Sequence, residues 1–135
     1  MNQVGELKRL ARDNQFFWLK RSGAEAADAL IAYGEVPLLV VIMRDVWASG
    51  ARLSGVRPLV VVTDRQVIVL NYASRWRPPK YVTFNRSEIK EVSDYSKRAF
   101  EMTLANGTTV KMRGLIGGKT ADKMPLRLYE LLSKK

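Results

Sequence analysis

The chain has 135 residues, 47% of them hydrophobic, a composition that suits one globular domain with a single core and argues against disorder. Cysteine and histidine are both absent, which removes disulfides, thiolate nucleophiles, thiolate metal ligands and the commonest neutral-pH general base together. The net charge of +10 favours anionic partners such as nucleic acid, acidic protein surfaces or anionic lipid head groups.

The charge is unevenly placed. Residues 1–21 carry +3, residues 75–98 carry +4 and residues 111–135 carry +5, whereas 22–74 and 99–110 each carry −1. The longest apolar run, Pro37 to Met43, is strand-sized and far short of the ~20 residues that cross a bilayer. Lys8, Arg9 and Arg12 are followed by Asp13-Asn14-Gln15 where a secretory signal would need apolar residues. The expectation is a cytoplasmic protein.

In chain order, Gly5 to Arg21 places Leu7, Leu10, Ala11, Phe17 and Trp18 at helical spacing, with Lys8, Arg9, Arg12, Lys20 and Arg21 mostly on the other side. Ser22-Gly23-Ala24-Glu25 has the spacing of a capping box, in which the Ser hydroxyl accepts from an early helical N–H and the Glu reaches back. It predicts a second helix through Ala26, Ala27, Leu30, Ile31 and Tyr33 that stops at Gly34. The same amphipathic 1–21 stretch could lie on an anionic membrane, and a place in the core is the competing reading.

Strands follow. Leu38 to Met43 reads as a strand, Ala48 to Val56 as a loop or weak edge strand, and Leu59–Val62 with Val67–Leu70 as a hairpin turned by Thr63-Asp64-Arg65-Gln66. The prolines of Ser74 to Pro79 interrupt the pattern, which resumes at Tyr81–Phe84 and again at Ile89 and Val92. Phe100, Met102 and Leu104 alternate with polar or small residues, and Val110 and Met112 alternate with Thr109, Lys111 and Arg113. Asn106-Gly107 between these runs predicts a hairpin, because both residues tolerate positive φ. Asp122 as N-cap and Pro125 in the first turn predict a last helix with an apolar stripe of Leu128, Leu131 and Leu132. Strands 38–43, 59–62 and 67–70 are apolar on both faces, so both faces should be covered, by the N-terminal helical hairpin or by a dimer interface.

The order of Gly34-Glu35, then Thr63-Asp64-Arg65-Gln66-Val67-Ile68-Val69, then Ser87-Glu88-Ile89-Lys90-Glu91-Val92, a Gly-turn hairpin and a terminal helix resembles the bacterial pleckstrin-homology-like (PH-like) domains, including the YokE-like group. The resemblance covers roughly residues 34–133. It implies an α+β fold in which a strongly bent seven-stranded antiparallel sheet is plugged by one C-terminal helix. The helices of 1–33 are then an extension of a single domain spanning 1–135. It also implies binding of peptides, proteins or anionic lipids instead of catalysis, with no cofactor. Phosphoinositide-binding members cluster Lys/Arg between their first two strands. This chain has only Arg44, Arg52 and Arg57 there, with Asp45 among them.

Three candidate sites stand out. Ser74 to Tyr81 sets Arg75, Arg77 and Lys80 around Trp76 beside a stiff Pro-Pro pair, a mix suited to a binding hot spot or to base stacking beside phosphate contacts. Arg57 is a further candidate. The carboxylates Asp45, Asp64, Glu88, Glu91 and Asp94 could be read as a metal or acid/base cluster. Asp64 and Asp94 look like turn residues instead, and Glu88 and Glu91 like the wet side of a strand. The leading expectation is a non-enzymatic module, monomeric or homodimeric, that binds a protein or peptide through a sheet edge or basic loop. Nucleic acid and anionic membrane are the alternatives, although no helix-turn-helix, zinc or RNP-type signature is present.

Overall fold

The computed structural model describes residues 3–13, 21–49, 51–53, 58–71, 80–96, 99–113 and 130–132. Helix α1, Val4–Asp13, buries Leu7, Leu10 and Ala11 and leaves Lys8, Arg9 and Arg12 exposed. Helix α2, Arg21–Asp28, buries Ala24 and Ala27 against the same core. The backbone N–H of Gln3, just ahead of α1, donates to the Asp28 carboxylate at 2.6 Å, so the end of α2 caps the start of α1.

Two helix expectations change. Ser22 lies inside α2, whose described helical residues begin at Arg21, so it does not act as the N-cap. The helix also stops at Asp28, six residues before Gly34. The N–H groups of Leu30 and Ile31 reach back only three residues, to Ala27 and Asp28, which tightens the exit, and Gly34 takes φ +82° in the turn that follows. Phe17, Trp18 and Lys20 lie outside the described residues, as do Asp122, Pro125 and Leu128.

The strands form two antiparallel sheets. The first has the order β1 (Pro37–Ile42), β4 (Leu59–Thr63), β5 (Gln66–Asn71), β6 (Lys80–Asn85). The second has the order β3 (Ala51–Leu53), β2 (Asp45–Ala48), β9 (Thr109–Arg113), β8 (Ala99–Leu104), β7 (Ile89–Ser96). The resemblance implied seven strands, and nine segments are present among the described residues. β1 and β2, separated only by Met43 and Arg44, divide one run between the two sheets, β1 pairing with β4 and β2 with β3. Asp45–Ala48, expected to lie in the loop after the first strand, is therefore a strand. Ala51–Leu53, within the segment expected to be a loop or weak edge strand, is the short edge strand beside it. Their connection is the tight turn at Ser49, which takes φ +50° as a short hairpin requires.

Register shows what covers each face. Val40, Ile42, Leu59, Val61, Ile68 and Leu70 share one face of the first sheet, and Gln66 lies on that face two residues before Ile68. Gln66 Nε2 donates to the Leu30 carbonyl at 3.0 Å, which places the helical hairpin over this side. The opposite face, with Leu39, Val41, Val60, Val62, Val67, Val69 and Phe84, turns inward toward Val46, Met102, Val110 and Met112 of the second sheet. The hairpin thus covers the first sheet without a second subunit.

Three details close the fold. Arg86, in the 3₁₀ turn Arg86–Glu88 between the sheets, donates to the Thr63 carbonyl at 3.1 Å and the Leu131 carbonyl at 2.7 Å. Residues 130–132 are helical, with Leu132 buried and Leu131 packed on the core. The predicted β8–β9 hairpin is present: of its two turn residues Gly107 has positive φ, +89°, while Asn106 Oδ1 accepts from the Thr108 N–H at 2.9 Å. A type I turn followed by a left-handed glycine joins the strands, so the Asn side chain, not its backbone freedom, is what the turn uses.

Candidate interaction surface

The second sheet buries one face and leaves the other open. Val46, Met102, Leu104, Val110 and Met112 point inward, so Trp47, Glu101, Thr103, Thr109, Lys111 and Arg113 must point outward, because successive strand side chains alternate. Trp47 and Glu101 both pair with Lys111 in register, which puts indole, ammonium and carboxylate in one row across β2, β9 and β8. Asp45 pairs with Arg113 in the next outward row. Trp47, Ser49, Glu101, Thr109, Lys111 and Arg113 line an open groove of about 370 Å³.

The groove is charge-balanced. Arg113 grips the buried Asp45 with a two-point fork, Nε to Oδ1 at 2.9 Å and Nη2 to Oδ2 at 2.8 Å. The Asp45 hydrogen bonds raise the Arg113 pKa, so this cation is permanent across the physiological range. Lys111, opposite Glu101, is exposed. Two cations facing two carboxylates beside an indole suit a polypeptide with mixed polar and aromatic side chains. They do not suit a phosphate backbone, which rewards net positive charge.

Arg75, Trp76, Arg77 and Arg57 lie outside the described residues. Lys80 is described: it opens β6, exposed, opposite Asn71, and belongs to the first sheet, not to the groove. Arg44 and Arg52 are not loop cations. Arg44 sits at the bend between β1 and β2 and Arg52 within β3, so the expected loop between the first two strands shrinks to the turn at Ser49. Trp47 was missed by sequence reading. Its signal was the alternation of Asp45 and Trp47 with Val46 and Ala48, masked by proximity to a Ser-Gly turn.

The carboxylates are dispersed among structural tasks. Glu35 is buried, and its two oxygens accept from the Ala32 N–H at 3.0 Å, the Thr63 hydroxyl and Gln66 Nε2 at 2.8 and 3.1 Å. Asp64 Oδ1 accepts from the Val36 N–H at 2.9 Å, and the Asp64 N–H returns a bond to the Val36 carbonyl. Glu91 is exposed on strand β7, as expected; Glu88 is exposed too but lies in the 3₁₀ turn and not on a strand, and Asp94 lies in β7 and not in a turn. Among the described residues no group of acidic side chains could hold a metal ion.

No protein-family model matches the sequence, and no curated protein matches it. Among solved structures the chain is similar to the Vps36 N-terminal PH domain, with a TM-score of 0.55, 11% identity, and coverage of 78% of this chain and 86% of that one. At that identity the likeness carries the fold: two bent antiparallel sheets with a PH-like arrangement. Among the described residues no helix is long and apolar enough to cross a membrane.

Proposed function

We propose that the chain is a non-enzymatic PH-like interaction module, akin to the bacterial PH-like group, that docks a polypeptide partner in the cytoplasm. The observation that carries this reading is the groove around Trp47. The helical hairpin occupies the outer side of the first sheet, whereas the corresponding side of the second presents an indole between Lys111 and Arg113. Tryptophan and arginine at a partly desolvated centre are the residue types that dominate binding energy. The basic segment with Arg75, Trp76, Arg77 and Lys80, together with Arg57, forms a second contact in this reading.

Chemistry is disfavoured by the inventory. Without imidazole or thiol, turnover would fall to carboxylates, Lys, Tyr, Ser or Thr, and the buried Glu35 and Asp45 are engaged in holding the fold.

The test is retention of native-host proteins on the immobilised full chain, after nuclease treatment, compared with the double variant Trp47→Ala/Lys111→Glu. Retention should fall tenfold or more, with little sensitivity to salt and an unchanged urea midpoint. Equal retention by the variant, or binding that collapses steeply with salt and vanishes with nuclease, would overturn the polypeptide reading.

A further inference from the structure

The outermost strand of the first sheet, β6, pairs with β5 alone among the described residues, in an unbroken register from Gln66–Asn85 to Asn71–Lys80. The Arg86 N–H donates to the Arg65 carbonyl at 2.8 Å, and that pair continues the same register by one step. In an antiparallel ladder hydrogen-bonded and non-bonded pairs alternate. Phe84, Val82 and Lys80 therefore spend their backbone groups on β5, while Tyr81 and Thr83 aim their N–H and C=O groups away from it, at the open edge. Asn85 offers its N–H alone, because its C=O accepts the first bond of the 3₁₀ turn. All three side chains are exposed, Tyr81 at 54%. Within the described strand Lys80–Asn85 there is no proline or bulge, and its one charge, Lys80, stands at the first residue.

We infer that β6 is a strand-addition site for an extended acidic segment of another protein. The inference rests on the interaction-module reading and supplies the chemistry of its partner. Tyr81 and Thr83 each offer one donor and one acceptor and Asn85 adds a donor, a ladder for a short peptide strand. A β-branched or aromatic residue opposite Tyr81 would pack on its ring, and a carboxylate at the other end of the added strand would meet exposed Lys80. The chain carries +10 overall, and exposed Lys80 stands at the start of the edge, so an acidic strand is attracted and a basic one repelled. A second copy is a poor occupant. The two-fold register that uses all three residues, centred on Thr83, sets Lys80 directly opposite Arg86 of the copy, a like-charge contact.

Amide hydrogen exchange on the full chain tests this. The probe is a library of ten-residue peptides alternating β-branched or aromatic residues with Asp/Glu, and the control library carries Lys in place of the acids. In the free protein the amides of Tyr81, Thr83 and Asn85 should exchange fast, and those of Val82 and Phe84 slowly. The acidic library should slow the first three tenfold or more, and the basic library should not. Thr83→Pro removes one outward N–H at a position where an edge strand tolerates proline. It should weaken acidic-peptide binding about tenfold, roughly the worth of one net hydrogen bond. Circular dichroism would confirm that the variant folds, and the exchange pattern stands without the variant if it does not.

Three outcomes overturn the site: slow exchange at all three amides in free protein, acidic-peptide binding without added protection there, or protection that rises with protein concentration alone. If a bound peptide instead protects Lys111 and its neighbours and is lost in Trp47→Ala, the module reading survives and the edge site falls. Silence of both libraries at both surfaces counts against the edge site, while the host-protein retention assay decides the module reading separately.

Discussion

The Thr63 hydroxyl donates to the Glu35 carboxylate across 28 residues of sequence, and the same hydroxyl oxygen accepts from the N–H groups of Arg65 at 3.1 Å and Gln66 at 2.9 Å. One side chain thereby shapes the β4–β5 turn and ties it to the segment leading into β1. Gln66 adds its amide to the same carboxylate, and Asp64 pairs with the Val36 backbone alongside. The Gly-Glu and Thr-Asp-Arg-Gln motifs are thus halves of one hydrogen-bonded joint.

Replacing Glu35 by alanine should cost about 3 kcal/mol, because it leaves the Thr63 hydroxyl, the Gln66 amide and the Ala32 N–H competing for partners in a buried site. Glu35→Gln keeps one acceptor and should lose less. Urea unfolding with an unchanged m-value checks both, and a loss under 1 kcal/mol for the alanine variant would refute the joint.

Arg86 bridges the β4–β5 hairpin and the last helical turn through the Thr63 and Leu131 carbonyls. Arg86→Ala should destabilise by about 1–2 kcal/mol, the range of charge-assisted bonds to partly buried carbonyls. It should also speed exchange at the amides of Leu131 and Leu132 more than at those of β4. Uniform acceleration across the chain would mean that Arg86 does not act as a local clamp.

Glu6 is held below the ordinary glutamate range chiefly by its hydrogen bond from Arg9, with Coulombic attraction adding to it and desolvation opposing. A carboxyl depressed in the folded state contributes stability that is present above its unfolded value and lost as pH falls through the folded one. The small advantage of wild type over Glu6→Gln should therefore be constant near neutrality. It should begin to shrink around the unfolded value of ~4.3 and vanish at lower pH. Paired melting curves from pH 7 to pH 3 would show this, and a gap that widens on acidification would contradict it.

Much of the fold was legible because its signals are local. The apolar runs 59–62 and 67–70 are buried strands, the run 38–43 supplies strand β1 with only Leu38 exposed, and the alternation around Val110 and Met112 is the burial pattern of β9. Where a local signal was shared by two geometries, reading it from sequence failed. Ser22 has cap chemistry inside a helix. Asp45 looked like a loop residue because nothing near it in sequence announces Arg113, which neutralises it from β9.

By itself, then, the sequence determined the chemistry on offer and the kinds of element: no imidazole or thiol, a basic surface, helices before strands, and turns near Thr63 and Gly107. These follow from side-chain type and from periods of two and 3.6 residues, which need no knowledge of distant neighbours. Only tertiary structure decided that β2 closes against β9, so that Trp47, Lys111 and Glu101 share a row, and that β6 ends its sheet with Tyr81, Thr83 and Asn85 facing outward. Which strand lies beside which depends on contacts dozens of residues apart, whose loop-closure cost is repaid only when the whole core assembles.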